Sequence, residues 1–203
     1  MLPTMKMPVA DERLHHRHHA VQFYGDEAEL FTTIGTFLSE GLAAGQPAIV
    51  VATPDHTSAI VDALGSHLID VARARHYGDL VLLDAEETLG TFMHNGTPDQ
   101  ILFQRHVGAL MEQTLRGRGR TPLRAFGEMV DVLWRRGQAD AAIRLEALWN
   151  DLATIYSFSL LCGYAIGSFC KDASRIEEVC HEHTHVLGDN MIPGAARHLR
   201  AWA

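Results

Sequence analysis

Two runs of consecutive apolar residues constrain the fold most: residues 47–53 (PAIVVAT) and residues 80–84 (LVLLD). Neither alternates polar with apolar residues, so neither suits a sheet with one face in water. Short, β-branched runs of this kind fit strands of a parallel sheet that is covered on both faces. Each is followed at once by a helix-start signal, Pro54-Asp55 after the first and Glu86-Glu87 after the second. Their carboxylates suit the positive end of a helix dipole. Strand followed by helix, and then the same again, predicts an α/β fold: a mostly parallel sheet with helices on both faces.

The rest of the chain continues the alternation. Residues 20–24 (AVQFY) predict a first strand, closed by Gly25-Asp26, after which Leu30, Ile34, Phe37, Leu38 and Leu42 recur at helical spacing. A second helix runs over 54–68, and Pro98-Asp99 opens another to about Leu115. The Gly/Arg stretch 116–120 then links to a strand at 123–126. Helices over 128–135 and 138–154, a strand over 157–164 and a short helix over 172–182 complete the pattern. Residues 1–18 are expected to be a flexible leader, 19–186 one domain and 187–203 a tail.

Composition narrows the function classes. At 203 residues and 47% hydrophobic content the chain can bury one good core, and a formal charge of −8 with no broad basic face disfavours direct nucleic-acid binding. Cys162, Cys170 and Cys180 have no disulfide-framework spacing, no apolar leader resembles a signal peptide, and no apolar run approaches the ~20 residues that span a bilayer. A reducing cytoplasm, with no membrane contact, is the expected setting. Histidines cluster at His15, His16, His18 and His19 and again at His181, His183 and His185.

The order of elements resembles the RecA-like core of the circadian clock ATPase KaiC. A closer resemblance is carried by His19-Ala-Val-Gln-Phe-Tyr24, Ala52-Thr-Pro-Asp-His56, Leu83-Asp-Ala85, Phe92-Met93, Phe126-Gly-Glu-Met-Val130, Leu145-Glu-x-Leu-Trp-Asn150, Leu160-Leu-Cys-x-Tyr164 and Val179-Cys-x-x-His-x-His-Val186. In that order, these pieces resemble the MEDS family, the methanogen/methylotroph DcmR-type sensory domains. The resemblance implies a RecA/KaiC-like fold and a role as a sensor of small hydrocarbon derivatives. It further implies a signalling partner such as a histidine kinase or transcription regulator, and it leaves homodimerisation open. No ATP is expected. Where a phosphate loop would stand, the chain reads Tyr24-Gly-Asp-Glu-Ala-Glu29, with one glycine, no lysine and three carboxylates.

Sheets of this type bind ligands beyond the carboxyl ends of their strands. The expected ligand site is therefore Phe23, Tyr24, His56, Asp84, Phe126, Glu128, Cys162 and Tyr164: aromatic walls with a few polar groups. Taken singly, Phe23, Phe126 and Cys162 read more readily as core and Asp84 as a helix cap; only as a set do they favour a pocket. Arg124, on the same strand, is the expected partner of Glu128. A metal such as zinc or iron is a second expectation, from Cys180, His183 and His185 with His19 or His56 as a further ligand. A solvated tail segment explains that spacing too. Trp134 and Trp149 read as packing residues, and no nucleophile context argues for hydrolysis. An acid–base or metal-dependent enzyme using His56, Glu128 and Cys180/His183/His185 is the first alternative, and a degenerate ATPase-like interaction scaffold the second.

Overall fold

The structure, a computed structural model, describes residues 18–169 and 175–187. The two apolar runs form β2 (Ala48–Ala52) and β3 (Leu80–Asp84), which lie side by side with Ala48 opposite Leu80 and Ala52 opposite Asp84. With β1 (His18–Tyr24), β6 (Leu123–Gly127), β7 (Phe158–Ala165) and β8 (His185–Leu187) they make a six-stranded sheet in the order β3-β2-β6-β7-β1-β8. Every pairing in it is parallel.

Side-chain alternation divides the sheet into two faces. Ala20, Tyr24, Val50, Ala52, Phe126 and Leu161 meet α1 (Glu27–Ala43), α2 (Pro54–Ser66) and α3 (Val71–His76). Val21, Phe23, Val51, Ala125, Leu160, Cys162 and Tyr164 form the other core. It is covered by α4 (Ala85–Gly90), α5 (Gln100–Phe103), α6 (Ala109–Leu115), α7 (Met129–Arg135), α8 (Ala139–Ala153) and α9 (Arg175–His181). The expected α/β architecture, parallel with helices on both faces, is the one observed.

The differences are local. β1 begins at His18, not after it, and Leu187 belongs to β8 rather than to a tail; residues 1–17, 170–174 and 188–203, Cys170 included, lie outside the described residues. Three residues on an edge are too few to show a period, so β8 left no signal. The polar α3 was missed for the same reason. The helix expected over 98–115 carries one π turn at Gln104–Gly108 between α5 and α6. A hairpin of β4 (Met93–His94) and β5 (Thr97–Pro98) was also overlooked, although its Asn95-Gly96 turn, with φ of 50° and 78°, is the dipeptide such turns favour.

Arg124 does not meet Glu128. It points to the opposite end of β6, where its guanidinium donates to Phe37 O at 2.7 Å and Gln46 Oε1 at 2.9 Å beside Gly41 of α1. A Cβ at Gly41 would stand 2.6 Å from Arg124 Cδ. Gly41→Ala should therefore destabilise by about 1–2 kcal/mol in urea denaturation, overpacking outweighing the ~1 kcal/mol gain in helix propensity. A stabilised variant would show that Arg124 can leave without loss.

Candidate functional site

Glu128 follows β6 directly, and its backbone N–H continues the ladder to Val51 O at 3.1 Å, which carries its side chain over the end of β2. The residue is 1% exposed. Burial of a carboxylate requires partners, and it has them: the Thr53 N–H donates to Oε1 and the His56 Nδ1–H to Oε2. Thr53 caps α2 and His56 lies in its first turn, so the helix dipole also favours the charge. The hydrogen bond that His56 donates to Glu128 raises the His56 pKa above its ordinary value, against the opposing effect of burial.

The far nitrogen of His56, Nε2, lies 3.6 Å from Glu27 Oε1 on the surface side. The rings of Phe31 and Tyr24 stand 5.1 and 6.4 Å from the imidazole. Burial, and then the charges of Asp131 and Glu128, push the Tyr24 phenol well up, so it stays a neutral hydroxyl. Tyr24, His56 and Glu128 are thus brought together at the carboxyl ends of β1, β2 and β6.

Asp131, on α7, is fully buried and accepts from the Ala165 N–H at 3.1 Å, with Arg135 Nε 2.9 Å from its other oxygen. Burial pushes its carboxyl up to about 6, against the pull of Arg135 and the Ala165 N–H. The unfolded chain ionises near 4, so the folded state holds this proton more tightly. Its contribution to stability is present at low pH and lost as pH rises from about 4 to 6. Asp131→Asn should gain on the wild type by roughly 2–3 kcal/mol between pH 4 and pH 7 in chemical denaturation. A pH-independent gap would show that Asp131 ionises normally.

The other expected ligand residues lie elsewhere. Asp84 caps α4, accepting from the Glu87 N–H at 2.8 Å. Phe126 packs in the α1 core. Phe23 and Tyr164 stack at 5.9 Å on the face opposite Tyr24, because neighbours along a strand point to opposite faces. A single pocket of all eight residues is not formed.

Cys162 and Tyr164 turn instead to a second cluster, centred on Glu146 of α8. This carboxylate is fully buried; it accepts from Tyr164 OH at 2.9 Å and Cys162 Sγ at 3.3 Å, with His19 Nε2 at 3.1 Å and His183 Nε2 at 3.4 Å. Burial pushes its pKa up, but His183, His19 and the Tyr164 hydrogen bond outweigh that and hold it at about 2. Burial lowers His183 to about 4, so that ring is neutral at pH 7, and raises the Cys162 thiol well above its ordinary value.

The outer nitrogens fix both imidazoles. Asn150 donates through Nδ2 to Glu182, so its Oδ1 accepts from His19 Nδ1–H at 2.9 Å; His183 Nδ1–H donates to Val179 O at 2.6 Å. Cys180 is half-buried outside the cluster, and His185 sits on β8 beside His18 at 5.1 Å between ring centres. The expected metal set is thereby redrawn: His19 and His183 meet Cys162 and Glu146 rather than Cys180 and His185.

The family model of the methanogen/methylotroph DcmR sensory domain, MEDS, matches residues 18–184. The chain belongs to the MEDS family. The match starts with β1 and ends at Thr184, so both clusters fall inside the MEDS domain. Membership gives the chain a sensory role and, in general terms, a signalling partner. No curated protein matches it. Among the described residues no helix is long and apolar enough to cross a membrane.

Sequence reasoning overlooked Glu146, Asn150 and Asp131 as site residues. For Glu146 a signal existed: it lies four residues after Ala142 and three before Trp149, inside the apolar stripe of α8. A carboxylate there is buried by the helix period itself and requires partners from facing elements.

Proposed function

We propose that this MEDS domain binds a short hydrocarbon derivative at the strand carboxyl ends and passes the binding event to a partner kinase or transcription regulator, without catalysing a reaction. The observation that carries the reading is the buried Glu128–His56 pair at the start of α2. Glu128 fixes the imidazole, and Nε2 is left toward Glu27 and the surface, where an entering hydroxyl, amine or carbonyl can exchange with that weak contact. Phe31 and Tyr24 supply the apolar wall that small organic ligands need. A transition metal, where bound, has its donors in the separate Glu146 cluster.

Calorimetric titration with methanol, methylamine, formaldehyde and their two- to four-carbon homologues tests this. Binding of one of them, weakened at least tenfold by His56→Ala with the fold intact, is expected. Binding unaffected by that change would move the ligand elsewhere. The same pair favours one second reading, an acid–base enzyme, because a carboxylate that orients an imidazole is also how a general base is built. Turnover of a bound compound that Glu128→Gln abolishes without loss of binding would establish that reading instead.

A further inference from the structure

We infer that His19, Glu146, Cys162 and His183 form a buried site for one divalent transition ion of the zinc class. This goes beyond the small-molecule reading and does not depend on it. One donor atom from each residue lies within 4.8 Å of all the others. Glu146 Oε2 lies 3.1 Å from His19 Nε2 and 3.3 Å from Cys162 Sγ, these two are 3.5 Å apart, and His183 Nε2 comes within 3.4 Å of the other oxygen, Oε1, spacings close to those of donors around one small ion. Tetrahedral bonds of ~2.0–2.3 Å separate ligand atoms by roughly 3.3–3.8 Å.

The hydrogen bonds outside the cluster decide what it is for. With Nδ1 of His19 held by Asn150 and Nδ1 of His183 by Val179, each ring turns its Nε2 toward the Glu146 carboxylate. Two ring nitrogens and a thiol sulfur converging on one buried carboxylate form a ready set of four donors for a positive centre. His183 Nε2 is fully buried and has no hydrogen-bond partner among the described residues. Such outer hydrogen bonds are how metal-binding imidazoles are oriented.

The charges close as well. On binding, Cys162 releases its thiol proton to solvent, and thiolate plus carboxylate neutralise a divalent ion, with two neutral imidazoles completing four ligands. Thiolate, imidazole and carboxylate together favour zinc or ferrous iron over magnesium or calcium. The ligands come from β1, α8, β7 and the turn between α9 and β8. The ion therefore joins the edge strand and the last helix to the core. Thr184, next to His183, already exchanges hydrogen bonds with both His19 N and His19 O.

The test uses the full untagged chain, stripped with chelator, reloaded with zinc and passed over a desalting column, with a parallel cobalt(II) sample. We expect one zinc per chain and a cobalt spectrum with tetrahedral ligand-field bands and a thiolate charge-transfer band. Cys162→Ser should remove that band and weaken zinc binding about a hundredfold or more, and Asn150→Ala, which touches no ion, should weaken it about 10- to 100-fold. Cys180→Ser and His185→Ala should change neither. The wild-type cobalt spectrum needs no variant to fold. Absence of the thiolate band, its loss in Cys180→Ser, or zinc retained equally by Cys162→Ser and His183→Ala would overturn the site, the last by placing the ion on the N-terminal histidines. Calorimetry of the small organic compounds on the zinc-free chain separates failure here from failure of the ligand reading.

Discussion

In metal-free buffer at pH 7, Glu146→Ala should destabilise the domain by about 3–5 kcal/mol, the range seen when one member of a buried charged network is removed. Three effects combine. Tyr164 OH, itself fully buried, loses its acceptor at 2.9 Å, and a buried hydroxyl without a partner costs roughly 1–3 kcal/mol. Cys162 Sγ–H, also buried, loses the acceptor it donates to at 3.3 Å. A cavity opens in the core between α8 and β7, where Trp149 and Leu145 pack. Glu146→Gln keeps the volume and an acceptor for Tyr164, and so should cost clearly less than alanine. Equilibrium urea denaturation followed by far-ultraviolet dichroism separates the two. An alanine variant within about 1 kcal/mol of wild type would mean that the cluster rearranges freely and that Glu146 does not organise it.

The fold was legible where burial left a local mark in the sequence. The runs at 47–53 and 80–84 became β2 and β3 because strands covered on both faces have no polar side to display, and that is written locally. Pairing across the sheet is not local. That Val21 lies opposite Cys162, and hence that His19 comes near Glu146, follows from the register of β1 on β7, strands joined through most of the chain. Sequence spacing therefore favoured Cys180 and His185, which are close to His183 along the chain, over Cys162, which is close in space. Strand alternation could have separated Phe23 from Tyr24 in advance, and with them the two clusters. Glu128 was found because a carboxylate after a buried Phe-Gly has to be explained; its partner was misassigned because Arg124, on the same strand, points to the other end of β6.

The second large effect concerns the Glu128–His56 pair. Glu128→Ala should cost about 3 kcal/mol, because it leaves the Thr53 N–H and the His56 Nδ1–H at the start of α2 without their buried acceptor. Glu128→Gln is the more informative change, since it keeps shape and one acceptor but removes the charge. The hydrogen bond donated to Glu128 is the largest cause of the raised His56 pKa, with burial opposing it. Without that charge burial prevails, and the imidazole should titrate at lower pH than in the wild type. The linkage has a definite sign. A histidine whose folded pKa is raised contributes its stability fully below the unfolded value of about 6.5 and loses it as pH rises through the folded value. The stability gap between wild type and Glu128→Gln should therefore narrow as pH rises above about 6.5 and through the folded value. Nuclear magnetic resonance titration of the His56 ring in both proteins measures the shift directly. Equal midpoints would show that Glu128 does not set the charge of His56, and would remove the polar anchor on which the ligand reading rests. A lower midpoint in the variant, together with lost binding of the organic probe, would tie the charge of this pair to recognition. Buried charge at the end of a parallel sheet would then serve to hold one imidazole oriented, with its pKa raised, at the point where α2 begins.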